Sequence, residues 1–281
     1  SDAGSRSDRC WLAQADPAAN GLSLLNSDGR RWLTVGIGDD PRALLRAGDD
    51  GVTLQLLQPS TPIELAAFTP DSTRLITTHA SDPEPNDSQS PTRAFLTIWD
   101  AENGSELAHL PCKSPVTRLV ISADSSLLAS VGADHQVSVW DIAYCRELLT
   151  VALDAPVSAA VFSPNGKRLV TITDGGQARL WGVRTGSLIA ALDQLGGIAE
   201  AVFSPDDRWL AAYNHQGEIS VWRAQPGKYE LDLAVASPVT ALAFNATGSR
   251  LAAVGAGTSM LSVWDLAHGG KKVLAASQTA A

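Results

Sequence analysis

The residues in this chain best placed to do chemistry are acidic. Asp39, Asp40, Asp134, Asp154, Asp174, Asp193 and Glu218 fall in short polar segments between apolar runs, with Arg42, Arg93 and Lys113 as the basic residues that share such segments. Carboxylates gathered this way can hold a divalent cation, work as paired acid and base, or attract a cationic partner. The first two uses need helpers, and the sequence offers few. The histidines His79, His109, His135, His215 and His268 are scattered, and none sits in an HExxH context. No Gly-x-Ser-x-Gly elbow is present. GIGDDP at 36–41 has a GxG look, but no helix follows it, and a turn explains it. Cys10, Cys112 and Cys145 have no metal-ligand spacing and read as reduced thiols, with a Cys112–Cys145 bridge left open. We therefore expect no catalytic residues, no metal and no cofactor.

The acids must be held by something regular. Trp99, Trp140, Trp181, Trp222 and Trp264 recur at intervals of 41, 41, 41 and 42 residues, each closing an apolar run such as VSVWD or ISVWR. A second marker keeps the same beat: FTPD, ISAD, FSPN, FSPD and FNAT, at Phe68, Ile121, Phe162, Phe203 and Phe244. A period near 41 means one supersecondary unit used repeatedly. Residues 157–193 show its parts. VSAAVFS, RLVTIT, ARLWGV and SLIAALD are short β-rich runs, cut by the turns SPNG, DGGQ and RTGS. Units fall at about 20–58, 62–110, 115–152, 156–193, 197–234 and 238–276. The first has lost its tryptophan and ends its third strand near Arg46. Residues 1–9 are expected to be disordered, 81–93 to form a mobile insertion loop, and 277–281 to be a tail.

These residues resemble the WD-repeat β-propeller family over roughly 20–276. The resemblance implies an all-β propeller of four-stranded antiparallel blades. The residues present support six blades, with seven as the alternative. CWLAQA at 10–15 either completes the last sheet, with KKVLAAS as a tail, or is an extra strand while KKVLAAS joins that sheet. In a seven-bladed ring the missing strands would come from elsewhere. The family's polar signature is worn away in most units. Ser130, Asp134 and Trp140 remain in the third, where Cys112 stands at the usual His. Gly175, Gln216 and Thr258 replace the usual Asp in the next three. The five repeat tryptophans are expected to be blade core.

In such a fold the b–c and d–a loops share one face, and this face carries the acids named above. The opposite face holds Arg30, Arg31, Arg74, Lys167, Arg168, Arg184, Arg208, Arg250, Lys271 and Lys272, with some acids between. The function expected is a non-catalytic scaffold or recognition module whose acidic face docks a basic peptide or surface of a protein partner. His135 and His215 lie beside these acids. Trp209, standing where other units have Arg168 or Arg250, is a candidate outward-facing anchor, with packing against a neighbouring blade as the other reading. One alternative is a metal- or small-ligand-binding propeller with Asp39, Asp134, Asp174 and Glu218 converging at the channel mouth. Another is a structural subunit held by an open edge. A net charge of −9 argues against general nucleic-acid binding, and no apolar run is long enough for membrane insertion. The polar start SDAGSRSDR and the heavy use of Ala suggest a fragment or mature product of a cytoplasmic, bacterial protein, attached to an effector in a longer chain.

Overall fold

The computed structural model describes residues 14–16, 21–36, 43–47, 53–57, 63–80, 94–192, 196–214, 216–224, 228–235, 238–255, 260–268 and 271–277. Every regular element among them is a strand, and the strands form six antiparallel sheets. Sheet 1 is built from Gln14–Asp16, Gly21–Leu25, Arg31–Gly36, Ala43–Ala47 and Thr53–Leu57. Sheet 2 uses Ile63–Phe68, Arg74–Ala80, Ala94–Asp100 and Glu106–Cys112. Sheet 3 uses Val116–Ile121, Leu127–Gly132, Gln136–Asp141 and Arg146–Ala152. Sheet 4 uses Val157–Phe162, Arg168–Thr173, Ala178–Gly182 and Leu188–Ala191. Sheet 5 uses Glu200–Phe203, Trp209–Tyr213, Glu218–Arg223 and Lys228–Ala234. Sheet 6 uses Val239–Phe244, Arg250–Gly255, Met260–Asp265 and Lys271–Ser277. We call the four repeating strands a to d. The alternatives at the termini resolve simply. KKVLAAS is strand d of sheet 6, and Gln14–Asp16 is a fifth strand beside strand a of sheet 1. The insertion 81–93 lies outside the described residues.

The chain divides into two compact units, sheets 1–3 in residues 7–152 and sheets 4–6 in residues 153–281. Within each, successive sheets pack face to face. In the first, Leu24, Leu33, Val35 and Ala43 of sheet 1 cluster with Leu75 and Trp99 of sheet 2. Ala67, Ile76, Leu96 and Ile98 of sheet 2 then cluster with Leu128 and Trp140 of sheet 3. In the second unit, sheet 4 meets Leu210 and Trp222 of sheet 5, and sheet 5 meets Leu251 and Trp264 of sheet 6. All five repeat tryptophans are buried, from 0% exposure at Trp222 to 8% at Trp181. Each such indole contributes on the order of 2–3 kcal/mol through buried apolar area.

One backbone device recurs at every repeat tryptophan. The c–d ladder slips by one residue between Ile98 and Trp99, Val139 and Trp140, Leu180 and Trp181, Val221 and Trp222, and Val263 and Trp264. The same slip falls between Leu45 and Arg46 in sheet 1. A bulge of this kind re-aims one side chain out of strict alternation. In three sheets the indole N–H then donates to a strand-b hydroxyl: Trp99 to Thr77, Trp140 to Ser130 and Trp181 to Thr171, at 2.8, 2.8 and 2.9 Å. Either Thr or Ser serves as the strand-b acceptor, so this part of the polar signature is kept in sheets 2, 3 and 4.

The a–b turns are equally repetitive. Thr69, Ser122, Ser163 and Ser204 are fully buried. Each hydroxyl donates to the Asp or Asn two residues on, and accepts the N–H of the residue opening strand b. Ser72, Ser125 and Asp207 hold left-handed backbone at φ 63°, 63° and 58° in these turns. Their side chains repay that strain. Ser72 accepts the N–H of Asp28, Ser125 that of Asp71, and Asp207 that of Asn165, each in the preceding sheet's turn.

Candidate interaction surface

The b–c corners and d–a connections present the acids that the sequence singles out, and each unit is taken by itself. In residues 7–152, Asp134 sits at the b–c corner of sheet 3. Its Oδ1 accepts the Ser114 hydroxyl at 2.7 Å and the Gln136 N–H at 3.3 Å. Asp134 is exposed, but its carboxylate is engaged in shaping its own corner. His135 follows it at φ 63°. Asp39 and Asp40 lie outside the described residues.

In residues 153–281 the acids are freer. Asp174 is exposed at the b–c corner of sheet 4, and among the described residues its carboxylate has no partner. Gly176, φ 74°, makes this corner possible: a Cβ there would lie 2.6 Å from the Gly197 Cα, and the Gly176 carbonyl accepts the Ile198 N–H at 2.8 Å. Glu218 is exposed at the start of strand c in sheet 5 and accepts the Asn214 amide at 2.6 Å. Asp154 is 80% exposed and pairs with Arg179 at 2.8 Å. Glu200, absent from the sequence-based set, accepts the Tyr213 hydroxyl at 2.8 Å. Burial, then this bond to Glu200, pushes the Tyr213 phenol well up, so it stays a neutral donor. Asp193 and His215 lie outside the described residues.

Two expectations need correction. Trp209 does not face outward. It is 4% exposed, packed in the cluster shared by sheets 5 and 6, with the Arg223 guanidinium 4.8 Å from its ring centroid. The polar rim hides it: a large ring replaced Arg at a position whose stem is buried anyway, as Arg168 at 4% exposure shows. Cys112 and Cys145 are free thiols, the reading preferred from the sequence, and the bridge left open there is not formed. Burial and the charge of Glu147 push the Cys112 thiol up to about 11, which leaves it protonated and unreactive. Finally, the turn end opposite the acids is basic in one unit only. Residues 153–281 place Lys167, Arg168, Arg184, Arg208, Arg223, Lys228 and Arg250 there, against Asp206, Asp207, Glu230 and Asp265. Residues 7–152 instead place Asp28, Asp71, Asp100, Glu102, Asp124 and Asp141 there, against Arg30, Arg31, Arg74 and Arg146.

Among the described residues no three His, Cys, Asp or Glu side chains come together as metal ligands. A pocket of about 30 Å³ beside Cys112, Ser114, Ser130, Asp134 and Trp140 has room for a water or two, far below a substrate site. No helix among the described residues is long and apolar enough to cross a membrane.

Comparison with known proteins agrees with this architecture. The family described as WD domain, G-beta repeat matches residues 104–141, from the end of sheet 2 to strand c of sheet 3. The chain is similar to the β-propeller domain of Cps50 (Swd1) from Myceliophteria thermophila. That likeness has a TM-score of 0.51 at 15% identity, over 96% of this chain and 89% of that one. It shows the β-propeller fold. Together the two findings support a WD-repeat propeller. No curated protein matches the chain.

Proposed function

We propose that the chain is a non-catalytic protein-interaction module that docks a basic segment of a protein partner on its acidic corners. WD-repeat propellers generally mediate protein–protein interaction, but fold alone does not assign a partner. One observation carries the reading. At the b–c and d–a end of sheets 4–6, Asp154, Asp174, Glu200 and Glu218 are all exposed, and Arg179 is the one cation among the described residues there. A field of one sign over a rigid end raises encounter rates with cationic partners and rejects anionic ones.

The test is a binding screen of the 281-residue chain against an immobilised array of Lys- and Arg-containing peptides. Hits should weaken steeply with salt, and the triple variant Asp154→Lys, Asp174→Lys, Glu218→Lys should lose at least tenfold in affinity. These residues are exposed, so an unchanged circular dichroism spectrum serves as the folding control. Equal capture by the triple variant rejects the docking end.

A further inference from the structure

Arg168 lacks the partner that the repeat gives its counterpart. At the rung where strand b opens, Arg74 of sheet 2 stands opposite Asp100 and pairs with it at 3.4 Å. In sheet 6 Arg250 stands opposite Asp265. In sheet 4 the residue opposite Arg168 is Gly182, which offers no side chain. Arg168 is 4% exposed, and its Nη1 is buried without a hydrogen-bond partner. Asp207 of the sheet 5 turn bears on Arg168 with its charge, but its carboxylate accepts the Asn165 N–H at 3.2 Å. A buried guanidinium nitrogen left open is costly unless an acceptor reaches it.

Two hydroxyls stand where the missing carboxylate would. Residues directly opposite in an antiparallel pair project to the same side, so a side chain at Gly182 would point the way Arg168 does. A Cβ there would come 2.7 Å from Thr185 Oγ1 and 3.6 Å from Ser187 Oγ. Both residues are exposed in the c–d turn, and their hydroxyls bond each other at 2.7 Å. Lys167 and Arg184 are exposed in turns of the same sheet, and Arg208 in the turn of sheet 5. Val170 and Ile172, further along strand b on the Arg168 side, pack against Leu210 and Trp222 of sheet 5, so the arrangement is internal to residues 153–281. We propose that this turn end of sheets 4 and 5 binds a phosphate group, with Thr185 and Ser187 donating O–H and Arg168 supplying the buried charge. An exposed bond between two neutral hydroxyls gives way to a charged acceptor, and moving them from over Gly182 opens the way to Nη1. One carboxylate satisfies Arg74 in sheet 2. Two hydroxyls, a guanidinium and three flanking cations suit the greater charge and oxygen count of a phosphate. The site lies at the end opposite Asp174 and Glu218, so its failure and that of the acidic corners are distinguishable.

The test is calorimetric titration and thermal melting of the whole chain with inorganic phosphate, chloride holding the ionic strength constant. Phosphate at ten times its half-saturating concentration should raise the melting temperature by about 3 °C. The double variant Thr185→Val, Ser187→Ala changes exposed positions only, so folding should hold, as circular dichroism checks. It should bind phosphate roughly fivefold more weakly, while Asp174→Lys should bind it unchanged. Thr185→Asp brings its own carboxylate to the seat. It should melt higher than the parent without ligand and gain nothing from phosphate. A phosphoserine peptide and its unmodified twin identify the source. Binding of the phosphopeptide roughly tenfold tighter than inorganic phosphate assigns the group to a modified partner; equal affinity assigns it to a free phosphate. Three results overturn the proposal: no rise with either phosphate probe, equal binding by the double variant, or a Thr185→Asp chain that still responds to phosphate.

Discussion

Sheets 1 and 5 share their ladders and differ in their faces. Both pair strand a to b to c to d antiparallel, and both slip by one residue at the same place in the c–d ladder. In sheet 5 the resulting face holds Leu210 and Trp222 at 0% exposure; in sheet 1 it holds Trp32 at 42% and Arg46. Strand pairing and bulge are therefore properties of backbone and turn chemistry, indifferent to what lies on the sheet. The side chains placed on that backbone vary from sheet to sheet without disturbing it.

Removing side chains from the two faces should give unequal losses. Trp222→Ala empties a fully buried site and should cost about 3–5 kcal/mol. Trp32→Ala removes a half-exposed ring and should stay within about 1 kcal/mol. Urea unfolding of both variants measures the contrast. Equal losses would mean that the sheet 1 face is covered in solution, and the comparison would collapse.

The next effect sharpens the covered side alone. Thr171→Ala leaves the Trp181 N–H, which now donates to that hydroxyl at 2.9 Å, buried without its acceptor. The expected cost is about 1–3 kcal/mol, with Thr171→Ser recovering most of it. Ser130→Ala should behave alike through Trp140. If Thr171→Ala and Thr171→Ser are equally destabilised, packing rather than the hydrogen bond holds the indole.

Much of this was legible in the sequence, for a physical reason. The 41-residue beat of Trp and of the turn tetrapeptides encodes local geometry, and local geometry repeats faithfully: six sheets stand where six units were read. What failed to show were relations across sheets. Trp209 was open to an outward reading because its turn is polar, whereas its ring packs among residues 42 and 55 positions on, Leu251 and Trp264. Arg179 escaped notice as the cation beside Asp154, since it lies inside an apolar strand run, 25 residues on. Trp32 was in plain view as the one ring in a column of leucines, but exposure is a tertiary property that a single unit cannot reveal.

A smaller effect compares turns rather than faces. Asp71 and Asp124 occupy the turn position that sheet 4 fills with Asn165. Burial alone would raise both carboxyls. The hydrogen bonds from Thr69, Thr73 and Ser125 to Asp71, and from Ser122 and Ser126 to Asp124, prevail and hold both below the usual range. A carboxyl depressed on folding stabilises above its unfolded pKa of about 3.9, and that stability is lost as pH falls through the folded value. Asp71→Asn and Asp124→Asn should therefore flatten the loss of stability below about pH 5, as melting temperature against pH would record. An unchanged acid limb would locate the acid sensitivity in other groups.

The smallest stability effect belongs to Arg179, which stands in strand c where sheets 2, 3, 5 and 6 carry Thr97, Ser138, Ser220 and Ser262. Those hydroxyls stay within their sheets; the arginine reaches out to Asp154, whose side chain is 80% exposed. An ion pair so open to water is worth under about 1 kcal/mol, and Arg179→Ser should barely move the unfolding midpoint. Its consequence lies in the field. With the cation gone, Asp154 joins Asp174, Glu200 and Glu218 uncompensated, so a Lys-rich peptide that docks at this end should associate faster at low salt and lose the advantage as salt rises. Stopped-flow association rates at several salt concentrations decide the matter. A variant that binds no faster would mean that the basic segment contacts Arg179's surroundings without sensing its charge, and would move the docking site off sheet 4.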